Sequence, residues 1–274
     1  MKYISGEKIQ FMCDIFLGTD KNFKVNPNIN KYKNKLIYIN SNYIFKNTDK
    51  LIFTYNSNKI TLLSLINVLK NIKHPFKLIF HNSDKEFNKN HLVLFDKLPL
   101  LQKIYTQNMN VIHPNVIPLP IGFANSQWKH GNRNIYNKVY NMNLPKKYNI
   151  YFNFNINTNK KERQECFNCI NKKNIKWNKN KLYKDYLIEL KQHKFAICPV
   201  GNGLDTHRFW ECLYMKTIPI CKKNILVEYY QKYFPIVILE KWSDLNIEKL
   251  QYNFEIDCKY LDLDYIKNLL NKFD

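Results

Sequence analysis

Phe195-Ala-Ile-Cys-Pro-Val-Gly-Asn-Gly-Leu-Asp-Thr-His-Arg-Phe-Trp-Glu211 is the stretch that decides the fold. Four apolar residues form a short run, a Pro/Gly-containing loop follows, and a helical pattern begins at Thr206. Strand, glycine loop and helix in that order make one parallel α/β unit, and such sheets bind ligands where their strands end. Gly201, Asn202 and Gly203 let backbone N–H groups approach a phosphate closely. Thr206 or Asp205 caps a helix whose positive end faces the same point. His207 and Arg208 stand in the first helical turn, where cations are disfavoured unless an anion is held there. Glu211 follows Arg208 by three residues and shares its face. Arg208 can fork onto a diphosphate, and Glu211 can accept ribose hydroxyls. The plain structural alternative is an Arg208–Glu211 ion pair beside an ordinary turn.

The same alternation runs through the chain. Upstream, Leu36–Asn40, Leu51–Tyr55, Lys77–His81, Lys103–Thr106 and Asn115–Leu119 read as strands, and Ile60–Ile72 as a helix. Downstream, strands are expected at Tyr148–Phe154, Thr217–Cys221 and Ile236–Leu239. Helices are expected at Leu182–Leu190, Thr206–Met215, Leu226–Tyr233 and Leu261–Phe273. The polar stretch Trp128–Lys147 has little periodicity and reads as a linker. The expected fold class is therefore α/β with two Rossmann-like domains. Residues 1–140 form the first and 141–258 the second, with a C-terminal helix over 259–274.

Composition bounds the function. The chain has 274 residues with 43 Lys+Arg against 22 Asp+Glu, a formal net charge of +21, and it is 45% hydrophobic. That apolar content excludes a disordered chain. Only three basic residues are arginine (Arg133, Arg163, Arg208), while Lys and Asn number 40 each. Lysines are scattered and form no long block, so a specific nucleic-acid partner is not expected. The basic field instead favours an anionic substrate. No apolar run is long enough to span a membrane, and MKYISGEKIQ carries no apolar leader core, so a cytoplasmic protein is expected. Seven cysteines without an oxidising context read as reduced thiols. Cys166-Phe-Asn-Cys169 lacks the second ligand pair that zinc requires, and no Asp-x-Asp pair stands ready for a divalent ion. No metal or cofactor is expected. The sequence leaves the oligomeric state open.

A second polar loop, Asn155-Ile-Asn-Thr158-Asn159-Lys-Lys-Glu-Arg163, follows the strand at Tyr148–Phe154. Asn155, Thr158, Asn159 and Arg163 join Gly201, Asn202, Gly203, His207, Arg208 and Glu211 as candidate donor-binding residues. In the first half, His81-Asn-Ser-Asp84 ends a strand, and His81 or Asp84 is the candidate base for deprotonating a hydroxyl. A helix cap or turn is the simpler use of the same residues. Asn108, Asn125 and Trp128 are candidate acceptor-binding residues, Trp128 as a sugar platform.

The segment Lys194–Ile220, with its Pro/Gly loop, Arg208-Phe-Trp-Glu211 and closing Ile218-Pro-Ile, resembles the donor-site signature of exostosin-like glycosyltransferases. The stretches at His81–Asp84, Pro118–Trp128 and Phe154–Asn159 are similar to those of a compact subgroup. That subgroup includes enzymes of large DNA viruses and resembles the C-terminal part of ribitol xylosyltransferases. The resemblance covers roughly residues 8–245 and is densest at 194–220. It implies a GT-B organisation, two Rossmann-like domains facing across a cleft. It also implies inverting, metal-independent transfer from a nucleotide sugar to a glycan hydroxyl. A UDP-linked donor is expected, with xylose one candidate, but the sugar varies among relatives and does not carry over. The alternatives are a catalytically inactive transferase-fold binding protein and a basic nucleic-acid-binding module. Arg208 would neutralise the departing diphosphate, Glu211 would hold the ribose, and loop 201–207 would wrap the phosphates. Lys216-Thr217 stands where many relatives have a glycine.

Overall fold

The computed structural model describes residues 2–13, 15–17, 35–40, 52–55, 58–61, 66–67 and 69–272. Two parallel sheets organise the chain. The first has five strands: β1 (Ile15–Leu17), β2 (Lys35–Asn40), β5 (Phe76–His81), β7 (Leu101–Thr106) and β9 (Val116–Pro118), side by side in that order. The second has four: β10 (Tyr148–Tyr151), β11 (His193–Ile197), β12 (Ile218–Lys222) and β13 (Val237–Leu239). Every pairing within the two sheets is parallel, and strand order follows chain order in both. A mixed α/β fold with parallel sheets is the result.

Contacts divide the chain into two compact units. One comprises the residues up to Ile121 together with those from Asp262 onward; the other is Gly122–Leu261. The division falls before the polar stretch that reads as a linker, and the reason is aromatic packing. That stretch folds into α3 (Arg133–Tyr140), after α1 (Gly6–Phe11) and α2 (Val93–Lys97), and Asn132 Oδ1 caps it by accepting from the N–H groups of Asn134 and Ile135. The Phe123 ring lies 4.2 Å from Tyr136 and 4.7 Å from Tyr214, so 122–140 belongs with the second sheet. Gly131 is required there, because a Cβ would fall 2.0 Å from the Asn125 carbonyl.

In the first unit, every residue of β5 is buried, as expected of a parallel strand covered on both faces. Ile79, Tyr105 and Leu119 pack with Ile4 and Ile9 and with Ile266 and Leu270 of the last helix, α8 (Leu263–Asn271). The C-terminal helix is therefore part of the first core rather than a separate appendage. Lys77 faces that helix from β5, 1% exposed, and its ammonium donates to the Leu270 carbonyl at 3.0 Å and to that of Lys272. Tyr105 adds a hydroxyl bond to the Leu269 carbonyl at 3.3 Å. The chain leaves and re-enters this unit beside its own beginning, where Leu263 N–H donates to Lys2 O at 2.7 Å. Ile60, read as helical, sits instead in a hairpin formed by β3 (Ile52–Tyr55) and β4 (Asn58–Thr61). Leu51, Leu62, Leu63 and Leu65 lie outside the described residues. A two-stranded parallel pair, β6 (Phe87–Asn88) with β8 (Met109–Asn110), completes this unit's strands among those described.

The second unit is built on Ile150, Phe195, Ile197, Ile218 and Ile220 from its strands. Cys166 and Ile170 of α4 (Lys160–Asn171), with Trp242, cover them. Cys166 of the Cys-x-x-Cys pair is thus core material, fully buried. Two further helices, α5 (Tyr183–Gln192) and α6 (His207–Tyr214), carry the residues of interest, and α7 (Ile225–Tyr230) follows β12. Helix α6 ends in a left-handed cap: Thr217 N–H donates to Cys212 O at 2.8 Å and Lys216 N–H to Leu213 O at 3.1 Å. Lys216 takes the left-handed position itself, at φ 55°, where glycine is the usual choice. No helix among the described residues is long and apolar enough to cross a membrane.

Candidate functional site

The loops that leave β10 and β11 are sewn together by side chains on backbone carbonyls. Arg163, in the first turn of α4, donates through Nε to Val200 O at 2.9 Å and through Nη1 to Asn155 O at 2.8 Å. Asn159 Nδ2 reaches Gly201 O at 2.9 Å. Gly201 packs closely here: a Cβ would lie 3.3 Å from Arg163 Nη2 and 3.4 Å from Thr206 Cγ2. Its N–H closes a tight turn on Gly203 O at 3.1 Å. Asn155, Thr158, Asn159, Arg163, Gly201 and Gly203 are thereby brought to one sheet edge, with Asn202 exposed at the loop tip.

Helix α6 starts at that edge. Thr206 occupies the cap position with no side-chain cap bond, while Asp205 accepts the Trp210 indole N–H at 2.7 Å. The Thr206 hydroxyl therefore does not satisfy the helix's first N–H groups. Two residues in, the Arg208 guanidinium stands 5.1 Å from the Tyr186 ring centre and 5.7 Å from that of Tyr151. Its Nη1 is shut off from solvent and has no hydrogen-bond partner. Leaving a buried donor unmade costs roughly 1–3 kcal/mol, and more for a charged group. Neither Arg163 nor Arg208 forms an ion pair with a carboxylate among the described residues. Burial, and then the charge of Arg208, pull the Arg163 pKa down to about 10. Burial pushes Tyr151 up to about 12 against the opposing pull of Arg208, and it holds Tyr186 well above the usual tyrosine range.

Glu211 shares the face but not the partner. It is 5% exposed, and its two oxygens accept from Tyr183 Oη at 3.1 Å and Tyr186 Oη at 2.7 Å. The plain alternative of an Arg208–Glu211 ion pair is not the arrangement found: the two charges are separated into tyrosine contacts. A ribose hydroxyl reaching Glu211 would share an oxygen with a tyrosine or displace one.

His207 Nδ1 lies 2.8 Å from Gly122 O; a carbonyl only accepts, so this nitrogen carries the proton. The His207 ring is 6.1 Å from that of His130, which stacks on Trp128 at 6.3 Å and meets Tyr183 edge-on at 6.4 Å. Trp128 is 55% exposed beside a surface depression of about 500 Å³ lined by Gln127, Lys129, Asn132 and Arg133. The Asn125 carbonyl receives the Trp128 N–H at 3.0 Å. Tyr151, Tyr183, Tyr186 and His130 were not singled out by sequence. Their one signal is the spacing of Tyr183 and Tyr186, which also reads as ordinary helix packing.

The remaining candidates lie in the first unit. His81 is fully buried, with Nε2 at 3.1 Å from Pro120 O. Asn108 is equally buried, at φ 53°, and donates to Ser83 O at 2.6 Å. Gln107 Nε2 reaches the same carbonyl at 2.8 Å, and its Oε1 accepts the Asn82 N–H at 3.1 Å. Gln107 and Asn108 thus both satisfy the Ser83 carbonyl. His81 and Asn108 are both closed to solvent. Asp84 alone of the three is exposed. Among the described residues, no group of three His, Cys, Asp or Glu side chains could hold a metal ion. No family model matches the chain, and no curated protein matches it.

Proposed function

We propose that the chain is a glycosyltransferase, moving a sugar from a nucleotide-sugar donor to a glycan hydroxyl with inversion and without a metal ion. The observation that carries this reading is the enclosed, unpartnered Nη1 of Arg208, beside a second guanidinium at the start of a helix. Two cations of one kind at one sheet edge, neither paired with a carboxylate among the described residues, call for a ligand with several negative oxygens. A nucleotide diphosphate has that chemistry. As the glycosidic bond breaks, charge grows on the diphosphate, and preorganised donors stabilise it without reorganising. Arg208 supplies a fixed fork for this, Arg163 a second charge, and α6 its dipole. The stacked Trp128 and His130 offer a flat surface to a sugar ring. Of the two candidate bases, Asp84 has the carboxylate that reaches solvent. A GT-B organisation and a UDP-linked donor belong to the same proposal.

Thermal melting of the full chain with inorganic pyrophosphate, UDP, GDP and UDP-sugars, in EDTA throughout, tests the reading. A ligand at 100 times its Kd stabilises by about 2.7 kcal/mol if it binds only the folded state. The expected result is a rise in Tm with pyrophosphate and with one nucleotide, lost in Arg208→Ala. Melting that is unmoved by every phosphate ligand removes the proposal.

A further inference from the structure

Three cysteines from three elements meet behind Arg208. Cys198 follows β11, Cys212 lies on α6 and Cys221 on β12; they are 5%, 0% and 3% exposed, and all are free thiols. Cys198 Sγ stands 3.5 Å from Cys212 Sγ, about 1.5 Å longer than a disulfide bond. A cavity of about 20 Å³ touches Cys198 and Cys221 and is lined further by Asp205, Thr206 and Tyr230. That is room for one water-sized molecule.

We propose that Cys198 and Cys212 form a reversible disulfide when hydrogen peroxide oxidises Cys198, and that the bond weakens the anion site. Burial alone would raise the Cys198 pKa. Hydrogen bonds from Cys212 and Cys221, with the charges of Arg208 and Arg163, outweigh it and favour the reactive thiolate. The thiolate attacks one peroxide oxygen and the O–O bond breaks, giving a sulfenic acid and hydroxide, which takes up the thiol's proton as water. Cys212 sulfur then attacks the Cys198 sulfur, the S–S bond forms, and the S–O bond breaks to release a second water. Two sulfurs lose two electrons in total, and the peroxide gains them. Cys212 follows Arg208 by four residues, one turn on the same helix face. Closing the sulfur gap draws α6 toward the end of β11 and carries Arg208 with it. The bond itself is independent of the glycosyltransferase reading; only its effect on ligand binding rests on that reading.

The full chain is treated with hydrogen peroxide, unfolded in iodoacetamide, digested and mapped by mass. Two thiols should disappear, with one cross-linked peptide joining Cys198 to Cys212, reversed by dithiothreitol and retained in Cys221→Ser. Full alkylation of Cys198 and Cys212, irreversible oxidation of Cys198, or a Cys198–Cys221 cross-link overturns the proposal, and mapping the unmutated chain needs no variant to fold. Titration with inorganic pyrophosphate reads the coupling. Oxidation should weaken binding by about tenfold or more, restored on reduction, and equal affinity in both states overturns the switch. If the reduced protein binds no pyrophosphate, the function proposed above fails while the cross-link map still decides the modification.

Discussion

The Tyr186 ring lies 5.1 Å beneath the Arg208 guanidinium, and its hydroxyl donates to Glu211 at 2.7 Å. One side chain thus faces the cation and holds the anion, which keeps the two apart. Tyr186→Phe retains the ring under Arg208 and leaves a Glu211 oxygen without its closer donor. Stability should fall by about 1–2 kcal/mol, and Arg208 should turn toward the released carboxylate. Phosphate-ligand affinity should then drop more than in Tyr183→Phe, whose bond is the longer 3.1 Å. Isothermal titration of both variants with pyrophosphate checks the order.

Arg208→Ala should cost roughly 2–4 kcal/mol of transition-state stabilisation, the size of losing one preorganised donor. Arg208→Lys should recover little, because an ammonium has no fork. Turnover of a nucleotide sugar with near-normal kcat in Arg208→Ala would contradict the assignment.

A pH dependence follows from His91, which is 8% exposed and accepts the Asn88 N–H through Nδ1 at 3.0 Å. Burial, opposed by the Asn88 carbonyl, lowers its pKa to about 4. Between that value and about 6.5 the unfolded chain binds a proton that the folded chain does not. Folding is therefore favoured above about pH 6.5, and this contribution is lost as pH falls toward 4, by up to about 3 kcal/mol. His91→Gln cannot titrate and should flatten this part of the stability curve. Denaturant titrations at several pH values measure the slope.

Lys216 holds a left-handed backbone conformation that costs a residue with a Cβ roughly 1–2 kcal/mol. Its side chain is exposed, and its carbonyl accepts from Tyr252 Oη at 2.8 Å, a bond that glycine keeps. Lys216→Gly should raise the urea midpoint by an amount equal to about 1 kcal/mol with m unchanged. A lower midpoint would show that the lysine side chain contributes more than the strain costs.

Lys77 carries its charge under the end of α8. Lys77→Met removes the donor from buried carbonyls and should destabilise the first unit by about 1–3 kcal/mol. Truncation after Leu261 should cost more, because it also uncovers Ile4, Ile9 and Leu119. Hydrogen exchange on β5 amides would report both losses.

How much of this the sequence held depends on contrast. The second-sheet strands are short apolar runs between Pro, Gly and Asn, so Phe195–Ile197 and Ile218–Cys221 stand out. Helix α3 does not, since in Arg-Asn-Ile-Tyr-Asn-Lys-Val-Tyr only Tyr136 and Val139 are buried. Strand β3 stands out as Leu51–Tyr55, but β4 does not, because Ile60 runs straight into a leucine-rich stretch. In the site, Arg163 and Arg208 were visible because arginine is rare in a lysine-rich chain. The tyrosines around them were not, being three among 19. His81 and Asn108 are both buried, a state that a polar strand exit does not announce in sequence.

The first unit is interrupted: its last helix is supplied only after the whole of Gly122–Leu261. During synthesis, domains generally fold as units while the chain emerges. Here the second unit is continuous and can close as soon as Leu261 clears the ribosome. The first, begun earlier, keeps Ile4, Ile79 and Tyr105 without their final cover until Ile266 and Leu270 arrive. The half of the protein that is made first is thus the half that finishes last.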